Sequence, residues 1–230
     1  MPRAPSVDPL LAQLAPWIAR HLQKGAGETA RMRPFLRPAA LDEGAILHRE
    51  GEISREMFLV TRGLARVFYV HEHREVNLRL LSAPAAAIAL ASFIEGTPAK
   101  ETIQTLTPVE GVWFRLRDYL DAFPDEGSER LRRVLAERHY LAMERRLRTL
   151  QWKSARERYA YFVAHMERDI VERVPLLHIA SYLGVRPESL SRVRREATQK
   201  LRARDEPATR GSSHEKPVRP GPPRDPRRAR

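Results

Sequence analysis

The chain is 230 residues long, enough for two small domains with separate cores, and its 41 Lys/Arg against 29 Asp/Glu give a formal charge of +12, which suits a polyanionic partner. It contains no cysteine, which excludes disulfides, thiolate zinc sites, cysteine nucleophiles and cysteine-bound iron–sulfur clusters. No apolar run approaches the ~18–20 residues of a membrane span and no signal-peptide pattern opens the sequence, so a cytoplasmic location and no membrane partner are expected.

In chain order, Leu10, Leu11, Leu14, Trp17, Ile18 and Leu22 fall on one face of an amphipathic helix over 10–22. Pro34 and Pro38 then interrupt the helical pattern. From 41 to 116 short runs of β-branched, aromatic and other apolar residues recur, at 45–47, 57–60, 65–70, 76–81, 103–106 and 111–114. Turn signals such as Gly51-Glu52, Arg62-Gly63 and Thr107-Pro108 separate them. With no helix-length segment among them, these runs predict an antiparallel β-barrel or sandwich. His71-Glu72-His73 reads as a hairpin tip.

Helix returns as a short piece over 118–123 and a long one over 128–152. Leu131, Leu135, Ala142 and Thr149 follow a heptad that Arg138 and Arg145 interrupt, while Val134, Leu141, Leu147 and Leu150 lie on adjacent faces. One face can pack on the barrel and another on a second chain. Arg145, Arg146 and Arg148 read as solvated helix charges. Ser154 and Glu157 have capping-box spacing ahead of a helix over 155–166, with Tyr159, Phe162, Val163 and Met166 as its stripe.

The most informative stretch is 176–195, LLHIASYLGVRPESLSRVRR. Ile179, Ala180 and Leu183 form the inner face of a short helix, and Ala180 is small where a second helix must cross. Gly184 is a turn residue suited to positive φ, Val185 plugs the corner, and Pro187 opens a second helix. Leu190 and Val193 face inward, so Arg186, Glu188, Ser189, Ser191, Arg192 and Arg195 face outward. That is the pattern of a DNA-reading helix-turn-helix. Past Leu201 the chain turns Pro-, Arg- and Ser-rich; residues 202–230 hold nine Lys/Arg against four Asp/Glu, so five of the twelve positive charges lie there and seven in the rest. Such a tail cannot bury enough apolar surface to fold alone.

The order of these parts resembles the family of the cyclic-AMP receptor protein and the fumarate–nitrate regulator (Crp/Fnr). In the barrel the resemblance rests on Gly44-x-Ile46-Leu47, Glu50-Gly51-Glu52, the run from Met57 to Gly63, and Ser92-Phe93-Ile94-Glu95-Gly96. In the C-terminal part it rests on Arg156-Glu157-Arg158-Tyr159 and on Val174-Pro175-Leu176 through Arg195. It implies an α+β chain with a cyclic-nucleotide-binding-type β-barrel, a dimerisation helix and a winged helix-turn-helix. The expected organisation is an N-terminal helix plus barrel over 1–125, a dimerisation helix over 126–152, a DNA-binding unit over 153–203 and a disordered basic tail over 204–230. The wing would have to come from 197–205, which reads as helical.

Family members that bind cyclic AMP use a Gly-Glu-Leu turn followed about ten residues on by Arg-Ser. Aligned through Phe93, this chain has Ile88-Ala89-Leu90 and Ala99-Lys100-Glu101. Ala89 has no carboxylate for a ribose, and Glu101 would repel a phosphate, although Lys100 keeps a point charge. A degenerate effector pocket at Ala89, Leu90, Lys100 and Glu101 is therefore expected, with no cofactor and no cyclic-AMP response. The resemblance further implies that Arg192 donates to guanine, Glu188 accepts from cytosine and Ser191 contacts a base edge. Arg186, Ser189 and Arg195 would hold phosphates. The implied partners are double-stranded DNA and a second copy of the chain, with RNA polymerase and an unidentified small effector open. The sequence also fits two other readings, a non-specific DNA-coating protein using the tail and a sensory module signalling by protein contact. No phosphate-binding glycine loop, metal-ligand cluster or Ser/His/Asp arrangement suggests an enzyme.

Overall fold

The computed structural model of the chain describes residues 6–22 and 26–205. Helices α1 (Val7–Leu22) and α2 (Ala26–Met32) lead through a 3-10 turn (Arg33–Phe35) into the strands. These are β1 (Leu36–Leu41), β2 (Ile46–His48), β3 (Met57–Arg62), β4 (Leu64–His71), β5 (Arg74–Ser82), β6 (Ala85–Ala87), β7 (Thr102–Thr105) and β8 (Val109–Phe114). Helix α3 (Leu90–Glu95) lies between β6 and β7. Then follow α4 (Leu116–Ala122), α5 (Glu126–Gln151), α6 (Ala155–His165), α7 (Arg168–Arg173), α8 (Leu176–Leu183) and α9 (Pro187–Asp205). The tail predicted over 204–230 falls outside the described residues from position 206 on.

All ladders are antiparallel and form two four-stranded sheets, ordered β1-β8-β3-β6 and β2-β7-β4-β5. No ladder among the described residues joins the sheets, so the expected barrel is an open sandwich. Closure would need consecutive strands to pair at the sheet edges. Instead the Gly44 N–H after β1 bonds to the Thr105 carbonyl, and the Ala83 N–H after β5 bonds to the Gly63 carbonyl. The chain thereby crosses from one sheet to the other.

Strand β3 is buried on both faces, and its alternation divides the core. Phe58 and Val60 point between the sheets, where they pack with Val67, Leu81, Ile103 and Val109. Met57 and Leu59 point the other way, into a cluster with Leu10, Leu14, Ile18, Phe114, Tyr119, Leu131 and Leu135 from α1, β8, α4 and α5. Gly111 on β8 faces Phe58, and a Cβ there would collide with the Leu59 carbonyl and the Phe58 ring. On the second sheet, Leu64 and Leu80 turn outward and join Phe162, Ile170, Ile179, Leu183 and Leu190 of the C-terminal helices.

Several elements differ from the sequence reading. Strand β1 contains Pro38, which the sequence pattern presents as an interruption; among the described residues β1 pairs only with β8, and an edge strand tolerates a residue that cannot donate on its open side. Helix α3 lies in a region where only strands were expected, and β6 is three alanines, a residue type with weak strand preference. The long helix runs as α5, its N-cap Asp125 accepting from the Ser128 N–H at 3.2 Å. The capping box of Ser154 and Glu157 opens α6, where Phe162 is buried but Val163 is exposed. Through Arg194 the described chain forms one compact unit, and from Arg195 the remainder of α9 belongs to a second.

Candidate nucleic-acid interface

Helices α8 and α9 meet through the turn at 184–186. The Val185 N–H reaches back to the Ala180 carbonyl at 3.0 Å and the Gly184 N–H to the Ser181 carbonyl at 3.2 Å, the two bonds of a Schellman cap. Gly184 takes φ +62, where a side chain is strained, and an added Cβ would press on Leu150 and Arg158. Arg158, on α6, donates to the Leu183 carbonyl at 2.9 Å, the Gly184 carbonyl at 3.1 Å and the Trp152 carbonyl at 2.8 Å. A guanidinium thus neutralises the free carbonyl end of α8 and fixes the turn. In the sequence, Arg158 stands out only within the Arg156–Tyr159 motif, which gives this side chain no role.

With α8 fixed, the register of α9 decides what it offers. Leu190 is fully buried, and Ile179, Ala180 and Leu183 are buried as expected, while Val193 is half-buried. Arg186, Glu188, Arg192 and Arg195 are exposed; Ser189 and Ser191 are half-buried. Helix continues through 197–205, the stretch from which a wing would have to come.

The other face of α8 is seated on the second sheet. The β4–β5 ladder shifts register between Val67 and Phe68, and at that bulge the Asn77 N–H goes to Ser181 Oγ at 2.9 Å. Ser181 Oγ in turn donates to the Glu75 carbonyl at 2.8 Å, and Asn77 Nδ2 donates to the His178 carbonyl at 3.1 Å. Beside them, buried Arg66 donates to Glu75 at 2.5 Å and to Gln104 at 2.7 Å, and bonds His178 Nδ1 at 3.1 Å. The hydrogen bond from Arg66 holds the Glu75 carboxyl below its ordinary range against the opposing effect of burial. Burial first, then Arg66, lowers the pKa of His178, so at neutral pH this imidazole is uncharged and accepts from the guanidinium. None of these residues was singled out from the sequence.

The four predicted pocket residues differ in their exposure. Ala89 is fully buried at the start of α3 and Leu90 is buried beside it, whereas Lys100 is exposed. Glu101 is half-buried; burial raises its pKa, opposed by His48 and Arg79. One cavity lies between β5, β6 and α5, and of the four only Leu90 lines it. Arg145 lines this cavity and Arg146 is half-buried over the Tyr182 ring, its Nε without a hydrogen-bond partner. Arg146 is therefore not the solvated charge the sequence suggested, whereas exposed Arg148 pairs with Glu144 at 2.7 Å. Among the described residues no group of three or more His, Cys, Asp or Glu side chains is placed to hold a metal, and no helix is long and apolar enough to cross a membrane.

Residues 39–123 match the family described as the cyclic nucleotide-binding domain. Solved structures resemble more of its length. FixK2 from Bradyrhizobium japonicum is 16% identical with a TM-score of 0.63, covering 72% of this chain and 86% of its own. The c-di-GMP responsive global regulator CLP of Xanthomonas campestris is 16% identical with a TM-score of 0.61, covering 76% and 93%. A transcriptional regulator of the Crp/Fnr family from Eubacterium rectale is 18% identical with a TM-score of 0.59, covering 77% and 85%. At such identities the likeness is one of fold, and it covers more of the chain than residues 39–123. No curated protein matches the sequence.

Proposed function

We propose that the chain is a DNA-binding transcription regulator of the Crp/Fnr type, acting as a homodimer on inverted-repeat sites. The observation that carries this reading is the pair α8–α9. A Schellman-capped turn at Gly184 and buried Leu190 leave Glu188 and Arg192 exposed on one face of a basic helix. In this reading residues 153–203 form a helix-turn-helix unit and α9 enters the major groove. Arg192 donates bidentately to guanine O6 and N7, Glu188 accepts from cytosine N4, and Ser191 contacts a base edge. Arg186, Ser189 and Arg195 hold phosphates and fix the register.

One helix reads only a few base pairs, so two copies are needed, with half-sites about one helical turn apart. The dimer seam is assigned to α5, whose Tyr140, Leu141 and Leu147 are large apolar side chains left exposed on the single chain. The cyclic nucleotide-binding domain acts as the sensing or scaffold part, without cyclic AMP as its effector.

Selection from random oligonucleotides with the purified full chain tests this directly. The expected result is an enriched inverted repeat. Enrichment of no sequence, with steep salt dependence, would replace the reading by a non-specific DNA-binding protein, and no DNA binding at all would leave a protein-contact module.

A further inference from the structure

Polar groups anchor α8 to the second sheet, and one of those anchors is of the type that changes charge near neutral pH. His178 and Ser181 lie one turn apart on the face of α8 that meets β4 and β5. Ser181 Oγ takes the Asn77 N–H, while His178 offers its carbonyl to Asn77 Nδ2 and its Nδ1 to Arg66. The seat has little to spare, because Asn77 Oδ1 is buried there without a hydrogen-bond partner.

Arg66 is pinned. Its Nη1 also donates to Glu75 at 2.5 Å, its Nε and Nη2 donate to Gln104 at 3.1 and 2.7 Å, and its guanidinium lies 4.0 Å over the Phe68 ring. Nδ1 of His178 accepts from this guanidinium only while the imidazole is neutral. In the protonated ring the same nitrogen carries a hydrogen, so donor meets donor and cation meets cation across 3.1 Å, and the Glu75 carboxylate is already bonded to Arg66. With the guanidinium held from three sides, the contact is relieved by movement of α8.

The charges that act on the His178 ring are Arg66 of β4 and Glu75 of β5. Gln104 of β7 is neutral. Tyr182, one turn further along α8, is kept protonated by burial and lies beneath Arg146 of α5. The bond from Arg66 holds the Glu75 carboxyl below its ordinary range, so between about pH 7.5 and 5.5 His178 is the group of this set that changes charge.

We propose that the contact of α8 with β4 and β5 is a proton-operated latch, closed while His178 is neutral and opened when its imidazole takes up a proton. Burial first, and then Arg66, makes proton uptake harder in the closed state than in the open one. The closed state therefore has its full advantage above the ordinary histidine value of about 6.5 and loses it as the pH falls below. The turn at 184–186 ties the start of α9 to α8, so opening frees the direction of α9. That consequence for DNA rests on the regulator reading; the latch itself does not.

Amide exchange of the full chain, resolved at single residues at about pH 7.5 and 5.5 and corrected for the intrinsic rates, tests the latch. Protection of the Asn77 amide should fall about three- to tenfold, the range for an open state that titrates at about 6.5 and a closed one that titrates lower. Asn77 should be less protected than the amides of β3 at both pH values, so that the opening is local. In His178→Gln, whose amide oxygen can accept from Arg66 at either pH, the fall should disappear. His139→Asn removes the other depressed histidine, the one beside Arg79 of β5, and should leave the fall in place. Titration of the His178 ring in the unaltered chain should give a midpoint below about 6.5, and this measurement stands even where a variant fails to fold. Unchanged protection of Asn77, a fall that persists in His178→Gln or vanishes in His139→Asn, Asn77 as protected as β3, or a His178 midpoint at or above about 6.5 would each overturn the proposal. DNA is absent from every measurement, so failure of the latch and failure of the regulator reading are separate results.

Discussion

Replacing Ser181 by alanine tests whether α8 is held on the sheet by the bonds at the β5 bulge. The hydroxyl accepts from the Asn77 N–H at 2.9 Å and donates to the Glu75 carbonyl at 2.8 Å. Asn77 is fully buried, so in Ser181→Ala its N–H loses the only acceptor this bulge provides and water cannot reach it. Glu75 is exposed, and its carbonyl can be hydrated. The cost is therefore close to one orphaned buried donor, about 1–3 kcal/mol, rather than two. Urea unfolding should show a lower midpoint with an unchanged slope, and amide exchange at Asn77 should accelerate. Arg62→Ala, which breaks an exposed ion pair with Glu110 at 3.3 Å, should change stability by less than about 0.5 kcal/mol. If Ser181→Ala were as mild as Arg62→Ala and Asn77 kept its protection, the helix would be held by the apolar contacts of Leu64 and Leu80 alone.

Three further outcomes are expected. Arg158→Ala removes the cation that caps α8 and should destabilise by about 1–3 kcal/mol in chemical denaturation, with faster amide exchange at Gly184 and Val185. Millimolar cyclic AMP should leave the melting temperature unchanged, because Ala89 is buried and Glu101 lies among the chain's own cations; a ligand at one hundred times its dissociation constant would add about 2.7 kcal/mol. Stability should fall as pH drops from about 6.5 towards 4, because the folded pKa of His139 is depressed to about 4 and the unfolded chain takes up the proton first. The full shift corresponds to about 3 kcal/mol, which water around this part-exposed ring reduces to about 1–2 kcal/mol. The melting temperature of His139→Asn, whose amide oxygen can still accept from Arg79, should depend less steeply on pH over that window.

What the sequence made legible was local. Gly184, Pro187 and the spacing of Ile179, Ala180, Leu183 and Leu190 define α8, the turn and the start of α9 without reference to any distant residue. Ser154 with Glu157 marks the start of α6 for the same reason, and Glu72-His73, both at positive φ, is the hairpin tip expected there. What it hid was long-range. Whether eight strands close or split into two sheets depends on which edges meet, and no local pattern states that. Pro38 misleads unless β1 is known to be an edge. The seat of α8 joins Asn77 to Ser181 across 104 positions, and each residue alone reads as an ordinary polar side chain. Arg146 and His139 sit on a helix rich in charge, and only the packing of α5 against β5 and Tyr182 shows that they are not fully solvated. The outward residues of α9 were legible as positions, because helical spacing from Leu190 alone sets them.

The central claim is that α9 reads sequence, and the most direct measurement is a pair of variants compared on the selected site and on random DNA over a range of salt. Arg192 is exposed two positions beyond buried Leu190, whereas Arg195 is assigned to a phosphate. Arg192→Ala should cost about 1–3 kcal/mol on the selected site and relax specificity at one base pair, with little loss on random DNA. Arg195→Ala should weaken both alike and make the salt dependence shallower by about one ion. Equal losses on both DNAs for Arg192→Ala would contradict the account and reduce α9 to a basic surface.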